Sequence, residues 1–172
     1  MIYPKFLNEG DTVGVCAPSD GINSYINLTR LDSAILNFNK IGLNVIESES
    51  CRKSVIGKSA DKKIRANEVC NMFKKADING IICLSGGDFL IEILPYIDFD
   101  IIKENPKWLQ GYSDPTALLF VITTMLDIAT IYGYNFKTFG MEKWHDSLKD
   151  DILLLMGDKL SFNSYEKYEE ES

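Results

Sequence analysis

Imidazole is nearly absent from this chain: His145 is its one histidine. No histidine cluster exists to hold a metal, and a serine nucleophile that needs an imidazole base has one candidate within the chain. Basic residues are outnumbered, 18 Lys and Arg against 25 Asp and Glu, for a net charge of −7. Much of the excess acid lies in the tail from Glu166 to Glu171. That balance argues against nucleic acid or an anionic membrane surface as a partner. Long apolar runs are also missing. The longest, Ala117 to Leu126, contains two threonines and falls far short of the ~20 residues of a membrane helix. The four cysteines, Cys16, Cys51, Cys70 and Cys83, form no C-x-x-C pair. With no signal-peptide pattern at the N-terminus, a reduced, cytoplasmic setting is expected rather than a disulfide framework. Neither a G-x-G-x-x-G fingerprint nor a Gly-Lys-Ser phosphate loop is present.

What remains is a chain of 172 residues, 45% hydrophobic, suited to one domain with a sizeable core. Thr12 to Ala17 reads as a short buried strand, and Cys16 within it as a small buried hydrophobe. Leu28, Leu31, Ile35 and Phe38 recur at helical spacing, with Gly42 as a stop. Leu43 to Ile46 is a second strand. Ser59 can cap a helix carrying Ile64, Val69, Met72 and Phe73, whose lysines and Arg65 read as a solvated face. Gly80 to Leu84 is a third strand, and Leu90, Ile93 and Leu94 suggest a short helix ending near Pro95. Trp108 to Tyr112 and Ala129 to Tyr132 complete the strands. A helix from Pro115 and a last amphipathic helix holding Trp144, Leu148, Ile152 and Leu155 complete the pattern.

Strands alternating with helices imply parallel βαβ units, hence an α/β fold with a mostly parallel sheet between two layers of helices, as in flavodoxin-like domains. Sites in such sheets form at the carboxyl ends of the strands. Residues 1–160 read as this domain and 161–172 as an acidic linker or tail.

Two loops fall at strand ends. Gly111-Tyr112-Ser113-Asp114 follows an apolar strand and precedes a helix, a geometry that lifts a serine hydroxyl above a sheet. The same residues fit a plainer description. Ser and Asp are favoured N-caps and Pro opens helices, so the block also reads as a capped helix start, and Pro115 occupies the place of the second glycine in G-x-S-x-G. Gly86-Gly87 can turn the backbone and expose amides to an oxyanion, or can be an ordinary strand-to-helix turn. Asp11, Asp20, Asp98 and Asp100 read as solvated turn carboxylates. His145 reads as an exposed helical residue, with nothing in the spacing that brings it to Ser113. No metal and no cofactor is expected.

Several blocks resemble the N-terminal half of the LD-carboxypeptidase family of serine peptidases. These are Gly10-Asp11-Thr12-Val13-Gly14-Val15-Cys16-Ala17-Pro18-Ser19, Ser85-Gly86-Gly87, Leu94 to Ile102, Asn105-Pro106-Lys107, Gly111-Tyr112-Ser113-Asp114 and Ala117-Leu118-Leu119. The family includes murein tetrapeptide LD-carboxypeptidases and microcin C immunity proteins. Its nucleophile domain is related in architecture to class I glutamine amidotransferases. The resemblance implies that Ser113 is the nucleophile and that backbone amides of Asp114 and of Gly86 or Gly87 form the oxyanion hole. It implies hydrolysis, through an acyl-enzyme, of an amide next to a terminal carboxylate in a small peptide or peptide-nucleotide substrate. It also suggests a homodimer for a complete protein.

The chain departs from the family in four places. Its glycine loop continues Gly87-Asp88-Phe89. Tyr134 stands where proline is common, and Pro115 follows Ser-Asp in place of Ile or Phe. The family's catalytic Glu and His belong to a C-terminal domain with no counterpart in these residues, so little peptidase activity is expected from this chain by itself. The rival reading is a non-catalytic α/β module binding a small carboxylate or nucleotide at the same strand ends.

Overall fold

The computed structural model describes residues 1–166. Five strands, β1 (Thr12–Cys16), β2 (Asn44–Glu47), β3 (Gly80–Cys83), β4 (Trp108–Gly111) and β5 (Ile131–Tyr132), form one sheet in the order β2-β1-β3-β4-β5. Every pairing is parallel, with Val13 opposite both Val45 and Gly80. The strand runs are apolar without alternation because both sheet faces are covered: β3 and β4 are buried throughout.

Among the described residues five helices, α1 (Tyr25–Lys40), α2 (Lys62–Lys74), α3 (Phe99–Glu104), α4 (Thr116–Leu126) and α5 (Asp146–Met156), divide between the two faces. Leu31 and Phe38 of α1 pack with Leu148 and Ile152 of α5 in one core. Phe73 of α2, Ile102 of α3 and Ile122 of α4 share the other. Short 3-10 segments at Leu90–Tyr96 and Phe136–Gly140 fill the gaps. The result is the expected three-layer α/β sandwich. Strand order reverses between β1 and β3, the point of such a sheet at whose carboxyl ends ligand sites form.

Local chemistry sets the element ends. Gly42, at φ +81°, supplies the left-handed residue after α1, and Gly157, at φ +78°, does so after α5. The expected Ser59 cap is replaced by Asp61, whose carboxylate accepts from Lys63 N–H at 2.9 Å. Ser59 is instead buried and donates to the Ala17 carbonyl at 2.6 Å. His145 lies one residue outside α5 rather than within it, and its Nδ1 accepts from Ser147 N–H. Asp98, expected to be merely solvated, caps the short helix α3, whose six residues are too few to show a periodic signal. Lys107 donates its ammonium to the Met72 and Lys75 carbonyls at the end of α2, and burial lowers its pKa to about 8.

Arg65 overturns the expected solvated face. It is 1% exposed, and its guanidinium donates to the carbonyls of Ala60, Pro18 and Phe89 and to Glu92. Among the described residues, no helix is long and apolar enough to cross a membrane. The polar tail expected over 161–172 lies partly outside the described residues. Residues 161–166 carry neither helix nor strand.

Candidate active site

Three loops meet at the carboxyl end of the sheet: residues 17–20 after β1, 84–88 after β3 and 112–114 after β4. Ser113 lies in the third, exposed, with φ +66°. A left-handed serine costs on the order of 1–2 kcal/mol relative to an ordinary backbone. Its carbonyl accepts from Thr116 N–H at 2.9 Å and that of Asp114 from Ala117 N–H at 3.1 Å, which starts α4. Pro115 occupies the cap position, and no side chain caps the helix. The capped-start description of Ser113 and Asp114 is therefore wrong in mechanism: the backbone begins the helix, and both side chains are directed elsewhere.

The strained corner is held from two sides. Asn135, 4% exposed, accepts from Tyr112 N–H and returns its own amide to the Tyr112 carbonyl, both at 3.2 Å. On the other side Asp114 Oδ2 accepts from Leu90 N–H at 2.8 Å and from the Ser19 hydroxyl. The Asp114 carboxylate thus ties the serine turn to the β1 loop and to the segment that follows the glycine loop. Sequence reasoning gave Asp114 a helix cap or an oxyanion-hole amide and no tertiary bond, because a carboxylate beside a serine carries no local sign of partners 24 and 95 residues away.

The glycine loop lies against this corner. A Cβ on Gly86 would stand 3.0 Å from Ser113 Oγ and 3.9 Å from Asp114 N. A Cβ on Gly87 would collide with Ser19 Oγ. Ser85 Oγ donates to the Asp20 carbonyl at 2.7 Å, and Asp20 N–H to the Gly86 carbonyl at 3.4 Å. Among the described residues, the amides of Gly86, Gly87 and Asp114 donate to no protein acceptor. Unpaired N–H groups around a serine oxygen can stabilise a negative oxygen developing beside it.

Arg65 lies behind these loops. Its bonds to Pro18 and Phe89 pin the β1 loop to the end of the glycine loop. Lys58 and Arg65 together hold the Glu92 carboxyl below its usual range. Neither Arg65 nor Asn135 was identifiable beforehand, since each acts through tertiary contacts.

His145 does not join the corner. Its ring packs on Tyr165, centroids 5.4 Å apart, and Nδ1 is engaged at Ser147. The carboxylates of Asp11 and Asp20 accept from the nearby amides of Asn8 and Gly21. Among the described residues, no group of His, Cys, Asp or Glu has a metal-binding arrangement. The buried thiols are poor nucleophiles. A hydrogen bond with Cys83 and then burial push Cys16 well up, and burial pushes Cys51 to about 12. Beside the corner, burial raises Asp151 to about 6, even though its Oδ2 accepts from Tyr134 N–H at 2.7 Å.

The same architecture recurs in known proteins. Residues 13–133 match the LD-carboxypeptidase N-terminal domain. The chain is 31% identical over 147 residues to a Bacillus subtilis protein named "Probable murein peptide carboxypeptidase", covering 85% of this chain and 45% of that protein. It is 32% identical over 127 residues to the Escherichia coli microcin C7 self-immunity protein MccF, covering 74% of this chain and 37% of that one. The wild-type apo structure of MccF superposes with a TM-score of 0.88 at 28% identity, over 100% of this chain and 53% of that chain. The chain therefore spans about half the length, or less, of these relatives.

Proposed function

The chain belongs to the LD-carboxypeptidase family, matching its N-terminal domain, and on that premise we propose that it is the nucleophile-bearing part of a serine carboxypeptidase. Ser113 Oγ attacks the carbonyl carbon of an amide next to a terminal carboxylate. An ester forms between Ser113 and the acyl group as the C–N bond breaks, and the amine leaves with the proton that Oγ gave up. Water then cleaves the ester and returns the proton to the serine. The amides of Asp114 and of Gly86 or Gly87 hold the oxyanion in both steps. The observation that carries this reading is the left-handed, exposed Ser113, with Gly86 pressed against its side chain, while the amides of Gly86, Gly87 and Asp114 donate to no protein acceptor among the described residues.

Within these 172 residues the only imidazole caps α5, so the proton acceptor is assigned to the family's Glu and His, which belong to its C-terminal domain. Turnover by the chain alone is then slow, because an unassisted hydroxyl is a weak nucleophile at neutral pH. The substrate is a small molecule bearing a peptide, either a murein tetrapeptide or an aminoacyl-nucleotide conjugate. The name of the Bacillus subtilis relative supports the first alternative, and a structure of MccF in complex with aspartyl sulfamoyl adenosine supports the second. The test is hydrolysis of a murein tetrapeptide and of an aminoacyl-sulfamoyl adenylate by the longest protein that the gene encodes, with Ser113→Ala as control. Loss of turnover in the variant supports the reading. Turnover unchanged in Ser113→Ala overturns it.

A further inference from the structure

On the β5 side of the serine turn lies a cleft of about 270 Å³, lined by Tyr112, Tyr132, Gly133, Tyr134 and Asp151. The Tyr112 and Tyr134 rings meet edge to face, centroids 6.0 Å apart. Tyr132 stands 70% exposed at the rim. Asp151 reaches in from α5. Its Oδ2 accepts from Tyr134 N–H at 2.7 Å and from Gln110 Nε2 at 3.1 Å. Its Oδ1 has no hydrogen-bond partner among the described residues, and no Lys or Arg pairs with the carboxylate there. Gly133 permits this approach, since a Cβ on it would stand 2.8 Å from Oδ2. Beneath the cleft Gln110 is wholly buried, and its Oε1 is without a partner.

A partly desolvated carboxylate with no cation beside it is an unfavourable feature for a fold to retain, and such features gather at binding sites. The chemistry selects the occupant. An anion would be repelled, and an apolar group would leave the carboxylate uncompensated. A cation gains both from Oδ1 and from the tyrosine faces. A guanidinium fork wants both carboxylate oxygens, and Oδ2 is already doubly engaged, whereas an ammonium needs one. We propose that this cleft is a subsite for a primary ammonium group of the substrate, held at Asp151 Oδ1 beside Tyr112 and Tyr134. It rests on the proposed peptidase reading only in taking the ammonium to belong to the substrate. Because Tyr112 immediately precedes Ser113, an ammonium bound there fixes one end of the molecule beside the nucleophile.

The experiment needs no turnover. The backbone amides of Tyr112, Gly133 and Tyr134 are followed by NMR while N-acetyl-lysine methylamide is added. Its Nε-acetylated form serves as the uncharged control. Saturable shifts at those amides are expected with the free amine. Affinity should fall about tenfold or more in Asp151→Asn, the loss of one charge-assisted contact, and by a similar factor for the acetylated probe. Asp151→Asn keeps an acceptor for Tyr134, and Tyr132→Ala, at an exposed position, is a second variant expected to weaken binding without unfolding. No saturable shift at these amides, or binding indifferent to Asp151→Asn or to probe acetylation, overturns the proposal. Amine binding in a protein that hydrolyses no peptide would leave the subsite standing and remove only the peptidase reading.

Discussion

A methyl group on Gly86 would lie 3.0 Å from the hydroxyl oxygen of Ser113. The glycine is thus what allows the β3 loop and the serine corner to share one space. Gly86→Ala should leave the fold near its original stability, since the neighbour at risk is an exposed side chain. It should nonetheless slow acylation of Ser113 by on the order of a hundredfold, because a reacting atom displaced by a fraction of an ångström loses its alignment. Fluorophosphonate labelling rates, read beside thermal melts, check this. Equal labelling in the variant would separate the glycine loop from the chemistry.

Asp114 should matter through its carboxylate as well as its amide. Asp114→Ala strips the acceptor from Leu90 N–H and from Ser19, at a cost of about 1–3 kcal/mol for buried donors left unmade. Asp114→Asn keeps one acceptor oxygen and should lose less. Urea midpoints for the two variants give the comparison, and identical midpoints would mean the carboxylate ties nothing.

Arg65→Met replaces a guanidinium of 1% exposure by an apolar stem of similar length. The carbonyls of Pro18 and Phe89 then lose their donor, for an expected loss of about 2–4 kcal/mol. Lys62→Met, on the exposed side of the same helix, should stay within about 0.5 kcal/mol. Chemical denaturation of the pair distinguishes a buried hub from a solvated face.

Asp151 gives a pH dependence of known sign. Burial, with a smaller contribution from the neighbouring charge of Asp150, raises its folded pKa to about 6, against the opposing Tyr134 N–H bond. An unfolded aspartate titrates near ~3.9, so folding disfavours the ionised form. The stability it contributes is fully present below ~3.9 and is lost as pH rises through about 6. Asp151→Asn does not titrate, so it should gain on the wild type by about 1–2 kcal/mol between pH 4 and pH 7, discounted for partial exposure. Melts across that range test it, and a variant that loses ground as pH rises would reverse the assignment.

The layered architecture was legible because both signals behind it are local. Unbroken apolar runs such as Gly80 to Leu84 mark strands covered on both faces, and helical spacing such as Leu31 to Phe38 marks what covers them. Ser113 was legible for the same reason, as a serine between a strand and a helix. Its supports were not. Asn135 reaches Tyr112 across 23 residues, and Arg65 reaches Pro18 across 47, so neither leaves a trace in spacing. Arg65 was misread because charge on a helix is usually solvated, and only the carbonyls converging on it show otherwise. The short helix α3 escaped because six residues carry less than two turns of pattern.

The most direct measurement is mass-spectrometric mapping of a fluorophosphonate adduct on the longest protein that the gene encodes. One adduct on Ser113, absent in Ser113→Ala and slowed in Gly86→Ala, is the expected result. An unlabelled Ser113 in a protein that still releases the terminal residue of a murein tetrapeptide would show that the hydroxyl at this corner is not the nucleophile.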